Sequence, residues 1–222
     1  MSYKLRLQIS ILLMILCGCD VKAVQLPEFC KITLPSKQLI AYTEAEISKC
    51  DYARFDENSK LMTNLQSLRI EDPSLSKIPA AVVNFKNLAN LAIHRTRIRN
   101  LGHDLTALAN LEYLSLVENQ IRYLPAEIFR LPKLESLTVL ETDLRKIHQS
   151  SLLESSIVEL TLFERKIVLL PSDLCASRIR RINVFVQDNI KYGQTLAEYS
   201  PRIKAKFEKM LPRCIIKPYQ AP

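Results

Sequence analysis

The sequence predicts an α/β solenoid: a curved stack of about six repeats, a parallel β-sheet on its concave face, and a cap at each end. Two observations carry this expectation. Five apolar positions, Leu65, Leu88, Leu111, Leu134 and Ile157, fall 23 residues apart, and Ile179 follows after 22. Each opens the same pattern, L-x-x-L-x-L, completed by Leu68-Ile70, Leu91-Ile93, Leu114-Leu116, Leu137-Val139, Leu160-Leu162 and Ile182-Val184. Self-similarity at a fixed period of this length is the signature of stacked repeats.

Each part of the repeat has a physical reason. The alternation in L-x-L suits a strand whose apolar side chains all point one way. One such strand cannot bury that face alone, so neighbouring copies stack in parallel around a continuous core. The second half of each copy supplies the outer wall: Val82/Phe85, Leu105/Leu108, Ile128/Leu131, Leu152/Leu153 and Leu174. One register earlier stands a faint further copy, Tyr42-Ala45-Ile47, followed by Cys50, Tyr52 and Phe55. It is read as a degenerate first repeat inside an N-terminal cap.

The most regular copy runs from Leu111 to Lys133, LEYLSLVENQIRYLPAEIFRLPK. It resembles the leucine-rich repeat family along its whole length, including Asn119 at the turn after the strand and Leu124-Pro125 at the start of the return segment. The resemblance covers about residues 65–187. In that family the turn asparagine bonds backbone groups between coils. Here the position reads Pro73, Thr96, Asn119, Thr142, Arg165 and Gln187, so the ladder is expected to be less regular at its ends.

Residues 1–23 read as a secretory signal. Lys4 and Arg6 precede an apolar stretch, Leu7 to Leu16, which is too short to serve as a stable membrane span. Two exits are readable. Cleavage after Ala23 releases a secreted protein, whereas Leu16-Cys17-Gly18-Cys19 resembles a bacterial lipobox and would leave Cys19 lipidated. Membrane attachment is expected only in the second case. Four cysteines then remain, Cys30, Cys50, Cys175 and Cys214. An even number in an exported chain argues for disulfides. Because the solenoid's ends lie far apart, pairing within each cap is favoured, Cys30–Cys50 and Cys175–Cys214. No C-x-x-C or Cys/His spacing suggests zinc.

The chain is basic, with 31 Lys+Arg against 23 Asp+Glu. The excess belongs to the C-terminal end: residues 178–222 hold ten Lys/Arg and three Asp/Glu. Within the cap at 188–222, Ser200-Pro201 suits a helix start. The helix it begins would set Ile203, Phe207, Met210 and Leu211 on one face, against the last repeat. Its cations, Arg202, Lys204, Lys206 and Lys209, would meet water or an anionic surface such as lipid or polysaccharide. Export argues against nucleic acid.

The resemblance implies that strand side chains between the leucines face the concave surface. Read as columns, the residue after the third apolar position runs Glu71, His94, Val117, Leu140, Phe163, Phe185, with the last four apolar and about 5 Å apart from strand to strand. Contiguous exposed apolar side chains mark interaction sites. The next column, Asp72, Arg95, Glu118, Glu141, Glu164, Val186, holds three glutamates as an acidic ridge. Tyr113 and Glu159 extend the same face. Catalysis has little support. His94, His103 and His148 share no spacing with a nucleophile or acid, and three glycines in the whole chain leave no phosphate-cradling loop. No cofactor is implied. The expected function is non-catalytic recognition of a macromolecule, most naturally a protein, through the concave face by a secreted chain with roles of the immune or cell-surface kind. The alternative is a lipid-anchored bacterial envelope protein with a structural or host-contact role.

Overall fold

The computed structural model describes residues 40–48, 52–102, 104–145, 147, 152, 154–163, 177–179 and 181–185. Seven parallel strands form one sheet in sequential order. They are β1 (Glu44–Ile47), β2 (Ser67–Glu71), β3 (Asn90–His94), β4 (Tyr113–Val117), β5 (Ser136–Leu140), β6 (Glu159–Phe163) and β7 (Arg181–Phe185). The sheet has one strand more than the six full sets in the sequence, because the faint copy at Tyr42-Ala45-Ile47 also pairs. Ala45 sits opposite Leu68 and Ile47 opposite Ile70.

The leucine register becomes a ladder of identical positions. Leu68, Leu91, Leu114, Leu137, Leu160 and Ile182 stand opposite one another from strand to strand. Every described leucine-register residue from Leu65 to Leu162 is buried. Burying each such side chain contributes about 1.5–3 kcal/mol. Truncating one, Leu114→Ala for example, costs about 2–5 kcal/mol because the cavity cannot close within a rigid stack.

The return path is too short for full α-helices. It forms short 3-10 segments at Ala80–Asn84, Asp104–Ala107 and Ala126–Arg130. Pro79 (φ −58°) and Pro125 (φ −65°) fix the backbone just ahead of the first and third of these. Val82, Phe85, Leu105, Leu108, Ile128, Leu131 and Leu152 are all buried behind the sheet. Leu153 and Leu174 lie outside the described residues. The first coil replaces the 3-10 segment with a helix, α1 (Tyr52–Ser59). Its Phe55 is fully buried, with its ring centroid 5.9 Å from that of Phe85.

Buried polar side chains close the turns after β2, β3, β4 and β5. Asn119 Oδ1 accepts the Thr96 N–H at 3.2 Å and the Thr96 hydroxyl, and Asn119 Nδ2 donates to the Ile93 carbonyl at 2.7 Å. The Thr96 hydroxyl also acts within its own coil, as does that of Thr142: each accepts an N–H two residues ahead, from Ile98 at 3.2 Å and Leu144 at 3.3 Å. The first repeat departs from the sequence reading. Pro73, which offers neither an N–H nor a polar side chain, is exposed. Asp72 takes over the buried role: Oδ1 accepts Ser74 N–H (2.8 Å) and Ser74 O–H (2.7 Å), and Oδ2 accepts Tyr52 O–H (2.8 Å). Burial, and then the bond to the Asp72 carboxylate, raise the Tyr52 phenol well above its ordinary pKa.

A second polar ladder runs along the opposite bend, just ahead of the leucines. Asn64, Asn87 and Asn110 each donate through Nδ2 to a carbonyl of the preceding coil: Ile40 (3.0 Å), Thr63 (2.9 Å) and Lys86 (2.8 Å). Ser156 Oγ does the same to Pro132 (2.7 Å), and Lys133 Nζ donates to Asn110 Oδ1 (2.8 Å). All five residues share the 23-residue spacing.

Candidate functional site

Strand alternation sends the first, third and fifth residues of each strand out of the core. The outward face of the sheet therefore carries three columns. The first includes Ser67, Asn90, Tyr113, Ser136, Glu159 and Arg181; the second Arg69, Ala92, Ser115, Thr138, Thr161 and Asn183; the third Glu71, His94, Val117, Leu140, Phe163 and Phe185.

The third column contains the apolar stripe. Val117 is the register partner of Leu140, and Phe163 of Phe185. Val117 and Leu140 are half-buried, while Tyr113, two columns across, is 44% exposed. Phe163 and Phe185 are placed by their backbones.

The acidic column behaves differently from the sequence reading. Asp72 is buried in the turn network described above, so it is not a surface member. Glu118 and Glu141 stand one residue beyond their strands, in the left-handed region with φ of 55° and 49°, as does Arg95 with φ of 50°. The reason is the turn. The chain must swing out of the sheet while its N–H still reaches the next strand: Arg95 N–H donates to Val117 O at 2.9 Å and Glu118 N–H to Leu140 O at 3.0 Å. Glu118 is half-buried and Glu141 exposed, so the glutamates edge the face rather than lie on it. Glu164, Cys19, Cys30, Cys50, Cys175 and Cys214 lie outside the described residues.

The opposite end of the face is charged. Arg69 bridges Glu46 (3.7 Å) and Glu71 (3.2 Å), and Glu71 also holds Arg95 (2.6 Å). This makes an alternating chain of four charges across the first three coils. Next to it, His94 Nε2 lies 3.0 Å from Ser115 Oγ. Burial, then the positive charge of Arg69, push the His94 imidazole down to about 4, so it is neutral at pH 7. No group of three or more His, Cys, Asp or Glu side chains among the described residues is placed to hold a metal ion.

Two features of this face escaped the column reading. The middle column, with its hydroxyls at Ser115, Thr138 and Thr161, sits between the two apolar positions of every L-x-L. The ion chain joins three different columns. The same 23-residue count that finds Val117 and Leu140 finds the hydroxyl column, two residues earlier. The ion chain has no such signal as a whole, because Glu46 meets Arg69 and Glu71 meets Arg95 across coils.

Residues 86–144 match the family described as leucine rich repeat. Among solved structures, this chain is similar to a plant ice-binding protein at 20% identity over 60% of this chain and 46% of that one, with a TM-score of 0.41. It is similar to Listeria monocytogenes InlP at 14% identity over 70% and 64% of the two chains, TM-score 0.41. It is also similar to the leucine-rich repeat domain of the type III effector XopL at 18% identity over 72% and 74%, TM-score 0.41. The chain thus spans 46% of the length of the ice-binding protein and 64% of InlP. Among curated proteins nothing matches. Residues 86–144 thus match the leucine-rich repeat family, and one parallel ladder continues the same register on either side of them, from Ala45 to Ile182.

Proposed function

We propose that this chain is an exported, non-catalytic recognition protein that binds another protein through the outward face of its sheet. The contact is centred on Val117, Leu140, Phe163 and Phe185, with Tyr113 beside them and Glu118, Glu141 and Glu164 at the rim. The observation that carries this reading is the strand-to-strand pairing of Val117 with Leu140 and Phe163 with Phe185 on a face that does not form the core. Apolar side chains in a row, next to an exposed aromatic ring and edged by charge, have the make-up of an interface centre with a polar rim. The leucine-rich repeat fold supports it too, since this architecture presents long regular surfaces rather than enclosed reaction sites.

The test is Leu140→Ala together with Phe163→Ala, measured for partner capture and for thermal unfolding. Capture uses the mature chain as bait, with mass spectrometry to identify what is retained. Aromatic anchors in such a centre carry losses of about 2 kcal/mol or more. Lost capture with near-unchanged melting supports the site. Unchanged capture moves the contact to another surface.

Export is part of the proposal and rests on Lys4, Arg6 and the apolar run from Leu7 to Leu16. The Leu16-Cys17-Gly18-Cys19 sequence keeps a lipid-anchored envelope protein as the second reading. Radiolabelled palmitate and the mass of the mature N-terminus separate the two: an acylated Cys19 selects the anchored form, and an N-terminus at Val24 the secreted one.

A further inference from the structure

Beyond each strand the chain runs on in extended form, and the two-residue alternation continues around the bend. Thr96 and Ile98 are buried while Arg97 and Arg99 are exposed; Ile121 is buried and Arg122 exposed; Leu144 is buried and Arg145 exposed. The outward position is thus an arginine in three successive coils: Arg99, Arg122 and Arg145, spaced by 23 residues. Coil-to-coil backbone bonds hold them side by side. Gln120 N–H donates to Ile98 O at 3.1 Å and Arg145 N–H to Arg122 O at 3.4 Å. Neighbouring members of such a row stand about 5 Å apart.

Like charges at that spacing repel one another, which costs stability unless something relieves it. Among the described residues, no ion pair joins a member of the row to a carboxylate. Arg99 Nε donates to the neutral Gln120 Oε1 at 3.2 Å, whereas the ion pairs that join Glu46, Arg69, Glu71 and Arg95 lie away from the row. Tyr123, 44% exposed, projects beside Arg122.

We infer that this edge of the solenoid is a docking surface for an anionic lipid bilayer. A row of cations held side by side by the ladder matches a sheet of phosphate headgroups, to which each is drawn by its charge. The exposed phenol beside the row suits the headgroup layer, where amphipathic rings settle. The row also lies away from the recess lined by Glu112, Lys133, Glu135, Ser156, Val158 and Arg178 on the opposite bend, so it offers an open edge rather than a cleft for a single chain. The surface is separate from the sheet face proposed above, and either can hold without the other.

The experiment is sedimentation of the full chain with vesicles of phosphatidylcholine alone or mixed equally with phosphatidylglycerol. The readout is the difference between the two compositions, which cancels any contribution from the apolar N-terminal run. Three proteins are compared: wild type, Arg99→Gln/Arg122→Gln/Arg145→Gln, and the charge-preserving Arg99→Lys/Arg122→Lys/Arg145→Lys. A triple substitution in the basic C-terminal end, Arg202→Gln/Lys204→Gln/Lys206→Gln, controls for simple loss of net charge. Each cation near an anionic surface adds roughly fivefold, so the glutamine variant is expected to lose about a hundredfold in preference for the charged vesicles. The lysine variant is expected to bind as wild type, and the C-terminal variant to lose much less than the glutamine variant at Arg99, Arg122 and Arg145. Wild-type indifference to vesicle charge overturns the inference, as does a glutamine variant that binds like wild type. Lysine that fails like glutamine also overturns it, by showing forked recognition of a discrete ligand. Retention on a soluble acidic polysaccharide, with no vesicle binding, reassigns the row to such a polymer and rejects the bilayer.

Discussion

Asn119 holds Thr96 twice with one oxygen, taking its backbone N–H at 3.2 Å and its hydroxyl, while Asn119 Nδ2 bonds Ile93 O at 2.7 Å. The side chain therefore ties its own coil to the previous one. Thr142, one coil later, caps Leu144 in its own turn. Asn119→Ala is expected to destabilise by about 2–3 kcal/mol, because it leaves buried donors without partners. Thr142→Ala is expected to cost about 1 kcal/mol. Urea unfolding of both variants checks this; equal losses would show that the link between coils adds nothing.

Glu118 occupies the left-handed region at φ 55°. A side chain with a Cβ costs about 1–2 kcal/mol there, and glycine relieves it. Part of that relief is lost to the freer unfolded chain. Glu118→Gly is expected to raise stability by up to about 1 kcal/mol, and Glu118→Val to lower it by about 1–2 kcal/mol. Denaturant midpoints give both signs in one experiment, and a valine variant as stable as wild type would contradict the turn geometry.

His94 contributes a pH dependence of definite sign. Its folded pKa is lowered to about 4 from an ordinary 6.5, with burial the larger cause and the Arg69 charge the next. Between those two values the unfolded chain binds a proton that the folded chain does not. This contribution is complete above pH 6.5 and is lost as pH falls from there toward 4. The expected loss is on the order of 2 kcal/mol at the acid end. His94→Gln keeps a partner for Ser115 and does not titrate. Its stability should fall less than that of wild type between those pH values, and parallel curves would rule out His94 as the source.

The cysteines give a covalent test of the caps. Non-reducing peptide mapping of the mature chain is expected to yield Cys30–Cys50 and Cys175–Cys214. Removing the second bridge should cost about 2–4 kcal/mol, since its loop is long. Four free thiols, or a link from one end to the other, would refute the pairing.

Much of the fold was legible because the repeat is a counting problem. Leu65, Leu88 and Leu111 each specify the same local strand, and identical strands have one efficient way to bury identical faces. The faint copy at Tyr42-Ala45-Ile47 was legible for the same reason. Asn64, Asn87 and Asn110 are equally countable, but polar residues before a leucine look like ordinary surface until their bonds to the preceding coil are seen.

What the sequence determined alone is the period, the parallel stacking and the order of residues in each outward column. These follow from chain chemistry repeated at 23 residues, with no need to know how distant parts meet. Only the tertiary structure decided which column members share one surface. It moved Glu118 and Glu141 to the rim, because the chain leaves the sheet through a left-handed residue. It buried Asp72 in place of Pro73, because a turn needs an acceptor that proline lacks. It also joined Glu46, Arg69, Glu71 and Arg95 into one ion chain, since the Glu46–Arg69 and Glu71–Arg95 links cross between coils, at distances that spacing along the chain does not contain.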